Sequence, residues 1–596
     1  MTDTLRNILE FFKRAWTGIR MIPRVRSRHL PQIFESLTKK DFVSFTAMIL
    51  LIVISGGFLL RQYVYGGTGT IPDYGGEHIE GLVGQPRFIN PILAASSSVD
   101  SDLSRLMYAQ LIKFDRDLKL TPDLALSLPE ISADQKTYTL KLKPNLKWQD
   151  EKPITADDVI FTVQTIQNPD FESPLAPNWN RVRVEKIDDL TVKFTLHTQS
   201  ATFITNFTLG IIPKHFWDGM NPGNFRLSDK NLRPVGSGPY SVREIKKTSD
   251  GTIKSLTLKS SDTYYGGKAY ITYLTFKFYQ DEQNLISAYQ SRDVQSIGFI
   301  PFDNKVFLQS SDKSNQYQIS LPQYQAVFFN LTKSSVITEK AVRQALWLAT
   351  DRNTVINDVY LGHAKPAFGP ILEGNLGYTE AAAKATHTDL TEAGQILDKA
   401  GWIMDTQTNT RYKTITTGSG KTKTETRKNL EFSLATNVSP LNVKTAEILE
   451  QQWEQIGVTV HLVIVSGSDL QDDYIRPRNF ETLLFSENTG ADPDPFPFWH
   501  SSQSHDPGLN LSGFSNPTVD KLLTEARQTN DTGVRAKDYQ QFQDIVTQEL
   551  PAIFLDSAVY VYTVPRKEQG IDLKTIIHPS ERFLDVNHWY IDTKRN

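Results

Sequence analysis

A run of 19 uncharged, mostly apolar residues near the amino terminus constrains the fold of this 596-residue chain more than any other feature. The run, FVSFTAMILLIVISGGFLL, covers 42–60 and is bracketed by Lys39, Lys40 and Arg61. At about 1.5 Å per residue, a helix of this length nearly spans a hydrocarbon core of about 30 Å. We therefore predict one transmembrane helix at 42–61, the alternatives being a buried core helix or a cleaved signal peptide.

The charge distribution predicts the side of the membrane on which each part lies. Residues 1–41 hold nine Lys and Arg against four Asp and Glu, so they carry +5 and leave −8 for the remainder of the chain. Basic segments stay on the cytoplasmic side, so we expect a cytoplasmic segment at 1–41 and an extracytoplasmic body after Arg61. Residues 4–25 mix apolar and basic side chains, which favours a helix along the inner membrane surface. The acidic body offers no basic face for nucleic acid.

The absence of cysteine excludes several kinds of site, and the length of the chain predicts more than one lobe. The sequence has no Cys, which excludes disulfides, thiolate metal sites, a cysteine nucleophile and the lipid-modified cysteine that anchors many secreted proteins. A chain of 596 residues is longer than the roughly 250–300 residues at which one hydrophobic core stops growing, so two or more lobes are expected. Residues 62–78 are rich in glycine and are predicted to form a flexible tether before the body.

Sequence periodicity in the first part of the body predicts strands and one well-defined helix start. Half-buried strands are expected at 137–143, 191–197 and 273–279, where polar and apolar residues alternate. Thr155 and Asp158 stand at capping-box spacing immediately before VIFTVQTI. We therefore predict that a helix begins at this point.

The second part of the body predicts an α/β arrangement. One long amphipathic helix is expected within 337–362, where apolar residues recur at helical spacing. A helix at 442–457 leads through Gly457 into the β-branched run VTVHLVIV, which is half of a parallel crossover. The polar stretch 404–428 predicts the long tip of a hairpin.

Motifs that would indicate catalysis or metal binding are absent or weak. The chain contains neither a Gly-x-Ser-x-Gly elbow nor a His-Glu-x-x-His helix, so an enzyme is not predicted. His500 and His505, with Asp492, Asp494 and Asp506 nearby, are the one candidate metal cluster, but the surrounding Pro and Gly favour an irregular loop with solvated side chains. The Asp-Pro-Asp-Pro sequence in this region is interpreted as turn chemistry. We predict no catalytic residue, no metal site and no cofactor.

Several segments of the body together resemble the family of extracellular solute-binding proteins that serve oligopeptide, dipeptide and nickel ABC importers. The resemblance runs from about Gly84 to Val564 and is highly specific in its order and spacing. Its carriers are FINPIL (88–93), LKLTPDLALSLPEISADQKTYTLKLKPNLKWQDEKPITADDVIFT (118–162), RPVGSGPY (233–240), YYGGKAYITYLTFKFY (264–279) and KAVRQALWLATDRNTVINDVYLGHAKPAFGPI (340–371). Two departures are Glu151, where the family usually has glycine, and Gln149, which often corresponds to histidine.

The resemblance implies an α/β fold with two lobes, the type II periplasmic-binding-protein fold, preceded here by the transmembrane helix. It implies lobe I at 79–325 with an inserted subdomain, lobe II at 326–554, and a return to lobe I at 555–596. The chain is expected to cross between the lobes near Gln325 and near Leu555. Closure of such lobes removes a ligand from water and strengthens its polar contacts.

By position, the resemblance assigns ten residues to the ligand cleft, although they are also compatible with ordinary loop and strand positions. They are Ser96, Ser97, Ser98, Phe485, Ser486, Glu487, Asn488 and Thr489, with Asn330 and Trp499 as weaker candidates. In the dipeptide and oligopeptide binders, a carboxylate receives the free peptide amine at the position that Thr489 occupies here. The chain therefore either lacks this anchor for a free amine or uses Glu487 in its place, and the role of Glu487 is our hypothesis.

The resemblance also implies the partners of the chain. A peptide is the expected ligand, an ABC permease is the expected protein partner, and the bilayer is contacted through 42–61. A nickel-chelate, haem or sugar ligand on the same fold is the nearest alternative; a membrane-anchored peptide hydrolase and a chaperone or peptide sensor without a transporter are the others. We expect a monomer, although the sequence leaves the oligomeric state open.

Overall fold

The computed structural model describes residues 38–65, 70–298, 313–333, 336–380, 387–417 and 424–595. They form two compact units: a small one that ends at Ile71 and takes up the chain again at Thr593, and a body that spans Pro72–Asp592. The predicted surface helix at 4–25 and almost all of the predicted cytoplasmic segment lie outside the described residues.

The small unit contains the helix Lys39–Tyr65, 27 residues long, which includes the predicted span. Its described apolar side chains are exposed, for example Val43 at 67% and Leu51 at 66%. No helix built from fully described residues is both long enough and apolar enough to cross a membrane.

The strands of the described residues belong to one large sheet and four small ones. In chain order they are β1 (Thr70–Pro72), β2 (Gly75–Val83), β3 (Ile112–Phe114), β4 (Leu120–Pro122), β5 (Glu130–Ile131), β6 (Thr137–Lys141), β7 (Arg183–Asp188), β8 (Thr191–Thr195), β9 (Tyr240–Lys247), β10 (Ile253–Ser260), β11 (Ile271–Tyr279), β12 (Ser296–Ile297), β13 (Ser314–Ser320), β14 (Gln323–Phe329), β15 (Ala364–Pro366), β16 (Ile403–Asp405), β17 (Thr410–Thr417), β18 (Thr424–Asn429), β19 (Glu431–Asn437), β20 (Thr459–Val465), β21 (Thr482–Asn488), β22 (Ala552–Pro565) and β23 (Thr593–Arg595).

The described helices of nine residues or more are numbered here in chain order. They are α1 (Lys39–Tyr65), α2 (Ser98–Met107), α3 (Ala156–Gln167), α4 (Glu282–Gln290), α5 (Lys340–Ala349), α6 (Arg352–Tyr360), α7 (Leu390–Lys399), α8 (Pro440–Glu454), α9 (Pro517–Arg527) and α10 (Thr532–Glu549). The capping box before α3 is confirmed, since the Thr155 amide donates to the Asp158 carboxylate at 2.9 Å.

One mixed sheet runs through the whole body. Among the described residues its twelve strands lie in the order β20-β19-β21-β14-β22-β12-β2-β11-β10-β9, with β13 and β15 also paired with β22. β19 and β20 are parallel and are joined by α8, so the predicted crossover is confirmed. The strands predicted at 137–143, 191–197 and 273–279 correspond to β6, β8 and β11.

One large hydrophobic core covers one part of the sheet and two further cores cover the other part, and we call these parts the first and second lobes. The first lobe contains β2, β9–β13 and the end of β22, while the second is built on β14 and β19–β21. Alternate side chains of β14 face opposite sides of the sheet: Val327 and Phe329 join one core of the second lobe, and Ala326 and Phe328 join the other. The second lobe is therefore covered on both faces of its sheet.

The long strand β22 connects the lobes. It pairs with β14 up to Asp556 and with β13 from Val559 onward, while β13 and β14 themselves are separated only by Leu321 and Pro322. The chain therefore passes between the lobes at two adjacent places. The predicted crossings near Gln325 and Leu555 lie beside these places.

Two sequence predictions differ from the structure. The single helix expected within 337–362 is divided into α5 and α6 at Thr350, which is extended, and Asp351, whose side chain accepts the Asn353 amide and caps α6. An N-cap side chain competes with helix continuation, which explains the break. The predicted tether at 62–78 also ends earlier than expected, because β1 and β2 lie within its last residues and pairing with β11 orders β2.

A four-stranded antiparallel sheet, β5-β6-β8-β7, forms a subdomain attached to the first lobe. In the second lobe β16, β17 and β18 form a three-stranded sheet whose β17–β18 pair is antiparallel, as the hairpin prediction for 404–428 requires. The tip of this hairpin, 418–423, lies outside the described residues. Of these two smaller sheets, the subdomain of the first lobe is the one that contributes to the candidate site.

Glu151 adopts a left-handed backbone conformation, with φ of 66°, at the position where the resembled family usually has glycine. A non-glycine residue in this region costs about 1–2 kcal/mol, whereas glycine costs about 0.4–1 kcal/mol through the entropy of the unfolded chain. We expect Glu151→Gly to raise the free energy of unfolding by about 0.5–1 kcal/mol in urea denaturation. Lys152→Gly, which relieves no strain, should lower it; equal effects of the two variants would contradict the explanation.

A buried ionic network fastens the carboxyl-terminal segment to the first lobe. Arg582 contacts Glu80 and Asp102, each at 2.6 Å, and all three side chains are at most 5% exposed. His78 lies between Glu80 at 3.1 Å and Glu568 at 2.8 Å. Burial alone would lower the pKa of His78, but the charge and hydrogen bond of Glu568, together with Glu80, raise it from 6.5 to about 10.

This arrangement gives the body a definite pH dependence. Because the folded pKa of His78 lies above its unfolded value, its stabilising effect is complete below pH 6.5 and is lost as the pH rises toward 10. We expect the stability difference between the natural chain and His78→Gln to shrink by several kcal/mol at most between these limits, at about 1.4 kcal/mol per pH unit. Urea denaturation at pH 6.5, 8 and 9.5 measures it. A difference that grows with pH would contradict the assignment.

Candidate functional site

A cavity of about 710 Å³ lies between the two lobes, and we call it the interlobar cavity. Its first-lobe wall comes from 177–182 and 196–208 of the subdomain and from 577–581 of the carboxyl-terminal segment; its second-lobe wall comes from 488–498, which follows β21. A cavity of this size lies within the range of small-ligand sites. The walls carry many Asn, Thr and Ser side chains, which favours hydrogen bonding over a purely apolar contact.

A smaller cavity of about 310 Å³ in the first lobe opens from the same region, and we call it the side chamber. Five residues line both spaces, namely Asn178, Thr205, Asn206, Thr208 and His578. Tyr108 also lines the side chamber, and its buried hydroxyl has no hydrogen-bond partner among the described residues. The two spaces therefore form one extended site, in which the Tyr108 hydroxyl is available to hydrogen-bond a ligand.

The lobes contact each other beside this site. The Gln135 side-chain oxygen, in the turn between β5 and β6, accepts a hydrogen bond from the backbone amide of Asn530 at 3.1 Å. On another wall, the Asn488 side chain donates to the Ile577 carbonyl at 3.2 Å. These contacts hold the second lobe against both the subdomain and the carboxyl-terminal segment.

The predicted loop of Ser96, Ser97 and Ser98 lies next to the side chamber but does not line it. Its neighbours Ala94 and Ala95 do. Ser97 instead caps α2, and its hydroxyl accepts the Asp100 amide at 3.3 Å. An N-cap role explains the serine without any ligand contact.

The predicted segment after β21 is divided between the cavity and the interior. Asn488 and Thr489 line the interlobar cavity, whereas Phe485, Ser486 and Glu487 do not. Thr489 is anchored through its amide and hydroxyl, which donate to the Pro322 carbonyl at 2.8 and 3.0 Å.

Glu487 is a buried acid rather than a wall residue. It is 5% exposed and accepts a hydrogen bond from the Tyr324 hydroxyl at 2.5 Å. Burial raises its pKa from 4.5 to about 8, against the opposing hydrogen bond of Tyr324 and charge of Arg478. Because Glu487 is buried, lies outside the cavity wall and is bonded to Tyr324, the geometry does not support it as the receptor of a peptide amine.

Asn330 and Trp499 both have structural roles in the second lobe and neither lines the interlobar cavity. The Asn330 amide donates to the carbonyls of Arg478 and Phe480 at 3.0 and 2.9 Å. Trp499 is 1% exposed and packs against the rings of four phenylalanines, at centroid distances of 5.9 to 6.5 Å. Packing in the core therefore explains the tryptophan at this position without any ligand contact.

The sequence analysis interpreted Asp492 and Asp494 as turn residues beside a candidate metal cluster and did not assign them to the ligand cleft, yet both line the interlobar cavity. Asp492 forms a two-point ion pair with Arg535 at 2.5 and 2.9 Å, and Asp494 contacts Arg527 at 2.7 Å. The Asp-Pro-Asp-Pro sequence was a signal for these residues, but their arginine partners lie more than 30 positions along the chain. The subdomain wall at 196–208 carries no recognisable motif at all.

The histidines considered for a metal site do not converge. His500 stacks on Phe496 at 4.1 Å and accepts the Ser502 amide, while His505 contacts Ser504. Among the described residues the group with metal-like spacing is a different one, His387, Asp389 and Glu392. Asp389 already caps α7 there, and the group lies outside the interlobar cavity.

A two-lobed α/β body with a polar cavity between its lobes defines a ligand-capturing protein rather than a scaffold. The sequence profile of bacterial extracellular solute-binding proteins, family 5 Middle, matches residues 119–509. The chain therefore belongs to this family, whose members are binding proteins and not enzymes.

Individual relatives agree with this assignment. The chain is 26% identical over 531 residues to the oligopeptide-binding protein AppA of Bacillus subtilis (strain 168), covering 87% of this chain and 92% of that protein. The structure of the ABC transporter substrate binding protein CtaP from Listeria monocytogenes superposes with a TM-score of 0.73 at 28% identity, covering 87% of this chain and 100% of that one. The structure of NikZ from Campylobacter jejuni in complex with Ni(L-His) superposes with a TM-score of 0.68 at 25% identity, covering 86% of this chain and 99% of that one.

Proposed function

We propose that this chain is the membrane-anchored, extracytoplasmic substrate-binding subunit of a peptide ABC importer. The observation that carries the proposal is the polar cavity of about 710 Å³ between two lobes of a family 5 body, continuous with a side chamber of about 310 Å³. An extended space of this kind suits a peptide, whose main chain offers a donor and an acceptor at each residue. The name of the Bacillus relative supports the same class of ligand.

In this account lobe I covers 79–325, lobe II covers 326–554, and 555–596 returns to lobe I. Closure about the two crossings buries the ligand, and Asn488 and Thr489 contact it from the second lobe. Water held in the cavity accommodates side chains of different size. The protein acts as a monomer that delivers its ligand to a permease.

Identification of the ligand that copurifies with the protein tests this proposal. The full chain is purified in detergent without added peptide, denatured, and the released small molecules are analysed by mass spectrometry. We expect a mixture of peptides, and the Asn206→Trp variant provides a matched blank because an indole at this position obstructs the passage between the two spaces. Recovery of a nickel chelate, haem or a sugar in stoichiometric amount, without peptides, would contradict peptide transport and favour the corresponding alternative.

The anchor proposal rests on the uncharged sequence at 42–60 and on the +5 charge of residues 1–41. A helix at 42–61 would hold the body outside the cell and raise its effective concentration near the permease. A reporter fused after Asn596 should be accessible to protease in intact cells, and one fused before Met1 should be protected. Accessibility of the amino-terminal reporter alone would contradict this orientation.

A further inference from the structure

The acidic side chains of the interlobar cavity are all engaged by arginine. Three carboxylates line it: Asp492, Asp494 and Glu581. Asp492 is paired with Arg535 at 2.5 Å and Asp494 with Arg527 at 2.7 Å. Glu581 is paired with Arg105, a residue of the side chamber, at 3.0 Å. A ligand ammonium would have to displace a guanidinium to reach any of them.

The resemblance implies that Thr489 occupies the position at which the dipeptide and oligopeptide binders have an acidic side chain for the peptide amine. The Thr489 hydroxyl carries no charge and donates to the Pro322 carbonyl at 3.0 Å. Glu487, two residues earlier in the chain, is absent from the cavity wall and is bonded to Tyr324. The described wall therefore holds no carboxylate free to bind a cation.

One cation of the wall has no such engagement. Arg181, in the turn between Asn180 and Val182, lines the cavity, is exposed, and forms no ion pair among the described residues. Including the pairing partners, four arginines meet three carboxylates here, so these arginines and carboxylates together carry one positive charge in excess. A guanidinium presents paired donors that match a carboxylate.

We propose that Arg181 binds the carboxylate of the captured peptide and that the cavity does not require a free amino terminus. This inference rests on the proposed function, because it assigns the direction of charge recognition within the same site. It makes Arg181 a specificity-determining residue. Peptides with a free carboxyl terminus are bound whether the amino terminus is free or blocked, and peptides with a neutral carboxyl terminus are bound weakly.

The experiment uses the full chain in detergent and an equimolar pool of mixed-sequence octapeptides in four terminal forms: unmodified, N-acetylated, C-amidated, and blocked at both ends. The protein is immobilised on a resin, unbound peptides are washed away, and mass spectrometry measures the retained amount of each peptide form. Since a charge-assisted hydrogen bond is worth about 1.5–3 kcal/mol, we expect amidation to reduce retention about tenfold or more. Acetylation should change retention less than about threefold.

Variants separate the role of Arg181 from a general effect. Arg181→Gln should bring the acid and amide forms to equal retention, and Arg181→Lys should keep part of the difference. Arg183→Gln is the matched control, because Arg183 is exposed, pairs with Glu185 and does not line the cavity. It should leave the preference unchanged.

The outcomes distinguish this inference from the proposed function. Strong retention of amidated peptides, or a tenfold loss on acetylation, would overturn the role of Arg181 while leaving peptide capture intact. An unchanged acid preference in Arg181→Gln would also overturn it. Retention of none of the four forms would contradict the proposed function itself, and this inference with it.

Discussion

Replacing Arg582 with alanine is expected to lower the free energy of unfolding by about 3–5 kcal/mol, because it removes the cation that two buried carboxylates share and leaves Asp102 without its ion-pair partner. Arg582 contacts both Glu80 and Asp102 at 2.6 Å, and Glu80 is fully buried. Removing one partner of a buried ion pair costs more than the pair contributes, since an uncompensated charge remains in the interior. Urea denaturation followed by intrinsic fluorescence measures the change.

Two further variants complete this test. Arg476→Ala removes an exposed pair with Asp472 on one helical turn and should change stability by less than about 1 kcal/mol. Tyr562→Phe removes only the hydroxyl that donates to Glu80 at 2.8 Å, so it should cost about 1–3 kcal/mol and remain measurable if Arg582→Ala does not fold. A loss below 1 kcal/mol in both Arg582→Ala and Tyr562→Phe would contradict the structural role of the network.

Asn206→Trp should nearly abolish ligand binding. Asn206 lines both the interlobar cavity and the side chamber, so an indole at this position occupies the passage between them. We expect retention of mixed-sequence octapeptides to fall about 100-fold or more, equivalent to about 2.7 kcal/mol. Because the position borders open space, stability should change by less than about 1 kcal/mol.

The matched control is Asn224→Trp, which introduces the same side chain at an exposed asparagine outside both spaces. It should bind peptides as the natural chain does. Undiminished binding by a folded Asn206→Trp variant would place the ligand elsewhere on the molecule.

Local elements of this fold could be predicted where the sequence determines them locally. Thr155 and Asp158 cap α3 through contacts three residues apart, and α8 with β20 follows from short-range periodicity. The division of α5 from α6 was missed, because apolar spacing continues through a break that the Asp351 cap produces. The inclusion of residues 70–78 in strands was missed because pairing of β2 with β11 joins residues about 195 positions apart.

The candidate site could be predicted only in part, since it is assembled from segments that the sequence keeps apart. The resemblance indicated Asn488 and Thr489, which line the cavity. It also indicated Asn330 and Trp499, which belong to the interior because their hydrogen bonds and ring contacts are satisfied there. Arg181 and His578 carry no local signal, and only folding brings them together.

The charge of the cavity wall also could not be predicted from the sequence, because its acidic residues pair with arginines that are distant along the chain. Asp492 pairs with Arg535, and Asp494 pairs with Arg527. Counting acidic residues in the sequence suggests an anionic loop, whereas the folded loop is neutralised by arginines of α9 and α10. Recognition by such a cavity depends on which charges remain unpaired after folding. No count of residues in the sequence provides that information.

The most direct test of the account is to locate a bound peptide on the chain. Mixed-sequence octapeptides that carry a photoreactive benzophenone are irradiated with the full chain, and the cross-linked residues are mapped by mass spectrometry. The account predicts cross-links on both sides of the interlobar cavity, within 177–208 and within 488–498, that excess unlabelled peptide removes. Cross-links confined to one lobe, or lying only outside these segments, would contradict capture of the ligand between the lobes.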